Sequence, residues 1–175
     1  YVALNINAQT LLGCTSSYAL NYMPEANIND GTCDFDIPTL LENGYCIQEL
    51  LDGEIYWGDF RGLNYQGGII VHVDESKGKA LICAEEDLSS GINWGCLDKN
   101  IENLSNEMYQ GFENTVKIVT EICDDTPSAA TLCYQSNLNG YSGWFLPTVM
   151  ELYTAYNLTN GPGGWEFNNS NTLSY

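Results

Sequence analysis

Hydrophobic and polar residues alternate at the start of the chain. Val2, Leu4, Ile6 and Ala8 fall on one side, and Ala3, Asn5, Asn7 and Gln9 on the other. A period of two predicts a strand, and Tyr1–Leu12 has no charged side chain. The same stretch also reads as the end of a secretory leader with a small-residue site near Ala8-Gln9, and both readings stand. Two short helical stretches are predicted next, Pro38–Asn43 closed by Gly44 and Ile47–Asp52 closed by Gly53. Each has a leucine pair and a glycine stop, as a small helical hairpin requires. Gly67–Val73 (GGIIVHV) and Lys79–Ala84 (KALICA) read as paired strands around residues 74–78.

The pattern changes again beyond residue 85. Residues 85–109 are polar and broken by Gly91 and Gly95. Val116, Val119 and Ile122 predict one apolar face of a helix over Glu113–Cys123. Thr126-Pro127 reads as an N-cap and first helical residue, opening a helix to about Gln135. Pro147 is expected to open another through about Tyr156, with Met150, Leu152 and Tyr153 towards a core. The tail from Gly161 is rich in glycine and asparagine. There is no internal repeat and no transmembrane segment is expected.

Composition adds a class and several exclusions. The 175 residues include 23 acidic and 5 basic side chains, a net charge of −18, with 44% hydrophobic residues. That apolar share supports a packed core in one domain with a small appendage. The acidity excludes nucleic acid, anionic membranes and sulfated polysaccharides as partners, since a uniformly negative field repels all three.

Seven cysteines (14, 33, 46, 83, 96, 123 and 133) form no CxxC pair, and His72 is the only histidine. Structural zinc needs tighter clusters, so disulfides in an oxidising, extracytoplasmic compartment account better for the count. Because the number is odd, at least one cysteine is free, modified or paired with another chain.

Residues 13–33, GCTSSYALNYMPEANINDGTC, resemble the GCT…ALNY…DGSC module of secreted Bacteroidetes-type proteins. The turn formers Asn29-Asp30-Gly31 and Pro24 agree with a compact loop. A Cys14–Cys33 bridge is expected, contributing on the order of 3 kcal/mol in the chain-entropy model. Leu11-Leu12-Gly13-Cys14 also fits a lipoprotein box loosely; the bridge is the preferred fate of Cys14.

GGIIVHVDESKGKALICAEEDLSSGINWGC (67–96), with Asn139–Pro147 (NGYSGWFLP), resembles the DUF1566 family, which includes the C-terminal domain of the collagen-like adhesin of Legionella. The resemblance covers roughly residues 38–160. It implies an α+β, C-type-lectin-like fold on a secreted or surface protein of a bacterium, with adhesive or glycan-binding roles and no catalysis. The domains then read as 1–12, an N-terminal strand or leader remnant; 13–36, the cysteine-bounded module; and 37–175, the lectin-like domain. By the same resemblance Cys96 pairs with Cys123. Cys83–Cys133 is the remaining expectation, leaving Cys46 either buried or bridging subunits.

This chain departs from the family in two ways. It is expected to be short of the family's C-terminal strands, which would leave an open sheet edge and an apolar groove. The alternating positions Val2, Leu4, Ile6 and Ala8 suit an inserted strand, giving a homo-oligomer or filament by head-to-tail strand addition; a trimmed fragment is the alternative. With only Arg61, Lys77, Lys79, Lys99 and Lys117 as cations, the relative's sulfated-glycan ligand does not transfer.

Candidate sites remain few. No cofactor is expected. Asn27, Asn29 and Asp30 offer hard oxygens for Ca²⁺, although turn formation explains them more simply. Trp57 and Trp94, flanked by glycine and polar residues, are the best positions for stacking on a glycan. His72, without a nucleophile or carboxylate arranged around it, reads as structural. Glu85-Glu86-Asp87 and Asp124-Asp125 read as solvated loop charge.

Overall fold

A computed structural model describes residues 9–96, 99–121 and 127–160. The chain is α+β. In order, its elements are β1 (Leu12–Gly13), β2 (Ile28–Asn29), α1 (Ile37–Glu42), α2 (Ile47–Asp52), a 3₁₀ turn (Trp57–Phe60), β3 (Asn64–Tyr65), β4 (Gly68–Asp74), β5 (Lys79–Cys83), α3 (Gly111–Thr120), α4 (Ala129–Gln135) and α5 (Val149–Asn160). The expected strand Val2–Ala8 lies outside the described residues. Two compact units divide the chain after Phe60; the first also takes Asp74–Lys79, and the second takes Arg61–Val73 and resumes at Ala80.

In the first unit, Cys14 and Cys33 are disulfide-bonded with their Cα atoms 4.8 Å apart. The bridge closes a loop whose ends also meet as parallel β1 and β2, Leu12 opposite Ile28 and Gly13 opposite Asn29. Asn27 extends this ladder: its Oδ1 accepts from the Leu11 N–H and its Nδ2 donates to the Gln9 carbonyl, both at 3.0 Å. The two helices form where the leucine pairs predict them. Asp36 caps α1 by accepting from the Thr39 N–H at 3.3 Å, and Glu49 closes the start of α2 by accepting from the Cys46 N–H at 2.8 Å. Six-residue helices do not persist alone, so packing holds them. Ile37, Leu41, Ile47, Leu50, Ile55 and Phe60 are all buried in this unit. The cysteine-bounded loop joins them, because Ser16 Oγ donates to the Gly53 carbonyl at 2.6 Å.

The second unit is built on a three-stranded sheet in the order β3-β4-β5, with β3 antiparallel to β4. Ile70 and Val71 point to opposite faces of β4, and both are buried, so this strand is covered on both sides. Val71, Leu81, Ala155 and Leu158 form one core cluster, with Cys83, Met108 and Phe145 packed against it.

Helix phase differs from expectation in three places. The buried stripe of α3 is Gly111, Asn114, Thr115 and Ile118, rather than one centred on Val116 and Val119. The two polar side chains are inside because they satisfy neighbouring loops. Asn114 Oδ1 accepts from the Ser105 N–H at 3.0 Å while its Nδ2 donates to the Ser105 carbonyl at 2.6 Å. Thr115 Oγ1 accepts from the Leu146 N–H at 2.9 Å. α4 is capped by Ser128, whose Oγ accepts from the Thr131 N–H at 3.2 Å, and not by Thr126, which lies outside the described residues. α5 begins at Val149, two residues after Pro147, and turns Glu151, Ala155 and Leu158 inward while Met150 and Tyr153 are exposed.

The cysteine expectations are also revised. Cys83 and Cys133 are free thiols, so no bridge joins them. Cys83 is a partly buried side chain packed against the core cluster of Val71, Leu81, Ala155 and Leu158, and it fills space as a small apolar group does. Cys96 is disulfide-bonded; Cys123, its expected partner, lies outside the described residues. Cys46 is an exposed free thiol.

Candidate functional site

The two sequence motifs that carry the family resemblance meet in the second unit. Leu138 and Tyr141 exchange main-chain hydrogen bonds at 2.9 Å around Asn139-Gly140, both with positive φ, the geometry of a tight Asn-Gly hairpin turn. The turn sits on Gly67, since Asn139 Nδ2 donates to the Gly67 carbonyl at 3.2 Å. A side chain at Gly67 would strike the Leu138 carbonyl, and one at Gly68 would meet Trp144 and the Cys83 carbonyl. Trp144 is held by its own Nε1, which donates to the Tyr141 carbonyl at 2.8 Å. Glycines at 67 and 68 therefore allow the NGYSGW segment to approach the first residues of β4.

The chain leaves this junction through Phe145-Leu146-Pro147 into α5, and here a carboxylate is buried. Glu151 is 1% exposed. Its Oε2 accepts from the Thr148 N–H at 2.7 Å, and its Oε1 from the Gly111 N–H at 3.4 Å. Glu151 is thus shared between the first turns of α3 and α5. Gly111 must lack a side chain because any Cβ would collide with Glu151 and the Phe145 ring.

With Glu151 turned in, the outer face of α5 has no charge. Val149 is 66% exposed, Met150 46% and Tyr153 60%, and Tyr156 continues the same side. These residues were expected in a core or left unassigned. The signal that would have found them is Thr-x-x-Glu at Thr148–Glu151, a capping box that fixes helix phase.

The stacking candidates fall one in each unit. Trp94 is 54% exposed. Its mount is fixed, because the Asn93 and Trp94 carbonyls accept from the Ala129 and Ala130 N–H groups at 2.8 and 3.3 Å. Trp57 is half-buried, with its ring 5.2 Å from that of exposed Tyr56.

The oxygens proposed for Ca²⁺ are engaged locally. Asn27 ties down Gln9 and Leu11; Asn29 Oδ1 accepts from the Gly31 N–H at 2.9 Å; Asp30 Oδ1 accepts from the Thr32 N–H at 3.0 Å and its hydroxyl at 2.6 Å. The Thr32 hydroxyl holds the Asp30 carboxyl below its ordinary range. Turn formation engages Asn29 and Asp30, and the tether to Gln9 and Leu11 engages Asn27. Among the described residues, no three His, Cys, Asp or Glu side chains come together as a metal-ion set.

His72, Cys83 and Cys133 carry nucleophilic or basic groups in the second unit. His72 is partly buried on β4, its ring 6.2 Å from that of Tyr109. Burial, with Asp87 adding to it, pushes the Cys83 thiol up to about 11, and burial also raises that of Cys133. Neither is a thiolate at neutral pH. Glu85, Glu86 and Asp87 are exposed, and Asp124-Asp125 lie outside the described residues. Among the described residues no helix is long and apolar enough to cross a membrane.

Compared with known proteins, the chain matches no family model, and no curated protein or solved structure shows significant similarity to it.

Proposed function

We propose that this chain is a secreted or cell-surface subunit of structural and adhesive type, with a C-type-lectin-like second half, that self-assembles by donating its N-terminal strand. The observation that carries this reading is the uneven sheet. β4 runs seven residues, whereas β3 pairs with it over two and Gly62 and Leu63 bond it once more at Ile70, and β5 is the edge on the other side among the described residues. A sheet with uncovered edge main chain accepts an extended segment, and Val2–Ala8 has the period-two pattern of one. The Cys14–Cys33 bridge suits an oxidising compartment. The −18 charge directs association towards main-chain pairing and uncharged contacts rather than charged faces. No catalytic step is assigned, in keeping with burial that raises the thiols of Cys83 and Cys133 and with a His72 ring set 6.2 Å from that of Tyr109.

Negative-stain microscopy of the full chain tests the reading. Filaments that vanish when residues 1–9 are deleted support it; filaments that survive the deletion overturn it. A second reading, a monomeric glycan-binding module, is favoured by the exposed and rigidly mounted Trp94. A glycan array with and without Ca²⁺, repeated on Trp94→Ala, separates the two.

A further inference from the structure

We propose that the cleft between residues 100–103 and the last turn of α3 binds an uncharged saccharide. This rests on the glycan-binding reading above and adds to it a place on the chain and a class of glycan. The cleft has a volume of about 420 Å³, within the range of small-ligand sites, and its lining belongs to the second unit alone.

The walls are tied together before any ligand arrives. Lys117 Nζ donates to the Asn103 carbonyl at 2.8 Å, joining the loop to α3. Two residues further on, Asn114 holds both main-chain groups of Ser105, at 3.0 and 2.6 Å. Ile101 is partly buried and stands beside Gly95, where an added Cβ would lie 3.8 Å from its Cδ1. A loop fixed in this way spares a ligand the cost of ordering it.

The lining chemistry selects the ligand. Asn100 and Asn103 bring amides that both donate and accept, while Glu102 and Glu121 bring carboxylates that accept. The Thr120 hydroxyl donates to the Lys117 carbonyl at 2.9 Å, which leaves its oxygen to accept. Neighbouring sugar hydroxyls, each a donor and an acceptor, match such a set. An anionic sugar does not, because the lining holds two carboxylates against one lysine, and that lysine already serves the Asn103 carbonyl. An apolar ligand would find Ile101 as its one apolar partner in the lining. Exposed Trp94 is the residue before Gly95, and it supplies an aromatic face next to the cleft for a second sugar ring.

A nuclear magnetic resonance titration of the isotope-labelled full chain tests the proposal. Maltotriose, mannotriose and triacetylchitotriose serve as uncharged probes, and sialyllactose as the anionic one. At least one uncharged probe should shift the Asn100 and Asn103 side-chain amides and the Trp94 indole N–H saturably; sialyllactose should shift none of them. Asn100→Ala/Glu102→Gln should weaken that binding about tenfold, the loss of one or two hydrogen bonds. Both side chains are exposed, and circular dichroism checks that the fold is kept. If it is not, Glu121→Gln on the opposite wall decides, with the same expectation. Saturable binding that shifts other residues, or that the variants leave undiminished, overturns the site but leaves the glycan-binding reading standing. Equal binding of sialyllactose overturns the class. No shift from any uncharged probe overturns the proposal, while the glycan array reports separately on the reading beneath it.

Discussion

Thr148 and Glu151 hold each other's main chain: the Glu151 carboxylate accepts from the Thr148 N–H at 2.7 Å, and the Thr148 hydroxyl accepts from the Glu151 N–H at 3.2 Å. This reciprocal pair starts α5 and sets which residues face inward. Because Glu151 also accepts from the Gly111 N–H, its loss strands a second helix start. Thr148→Ala should cost about 1 kcal/mol, the usual value of a cap. Glu151→Ala should cost about 3 kcal/mol, since buried donors are left unpaired. Urea denaturation of the three proteins checks the ranking.

The Cys83 thiol is the second prediction. Its folded-state value of about 11 stands above the ordinary 9.0 because burial opposes the thiolate. The unfolded chain therefore loses this proton first as pH rises. The contribution of this group to stability is complete below about pH 9 and is lost as pH climbs towards 11. Cys83→Ser should remove that part of the alkaline decline. At pH 8, a thiol reagent should label exposed Cys46 well before Cys83.

Asp74 gives the opposite slope. The Ser76 hydroxyl, then Lys77, holds its carboxyl down from 3.8 to about 2 at the turn between β4 and β5. Its favourable contribution is complete above about pH 4 and is lost as pH falls through 2. NMR titration should find the Asp74 carboxyl still ionised at pH 3, and Asp74→Asn should flatten this acid limb of the stability curve.

Gly140 and Gly67 should respond differently to alanine. Both have positive φ, but space is open around Gly140, whereas a side chain at Gly67 meets the Leu138 carbonyl. Gly140→Ala should cost about 1 kcal/mol from backbone strain alone. Gly67→Ala should cost about 3 kcal/mol, because the Asn139-Gly140 turn must also move.

Local signals read well in this chain and tertiary ones less so. Leu40-Leu41 with Gly44, and Leu50-Leu51 with Gly53, mark α1 and α2 because each stop residue acts on its own helix. GGIIVHV and KALICA mark β4 and β5 for the same reason. The faces of α3 and α5 were misread because polarity was taken for exposure. Asn114, Thr115 and Glu151 lie inside, where distant loops need hydrogen-bond partners, and nothing near them in sequence announces those loops. Among the site candidates, Trp94 is exposed as expected, while Cys83 and Cys133, the remaining expected pair, are free thiols, because sequence says nothing of where each side chain points.

Asn27 fixes more than a ladder. Its amide grips both the Gln9 carbonyl and the Leu11 N–H, so the main chain at these two residues is pinned to the loop that the Cys14–Cys33 bridge closes.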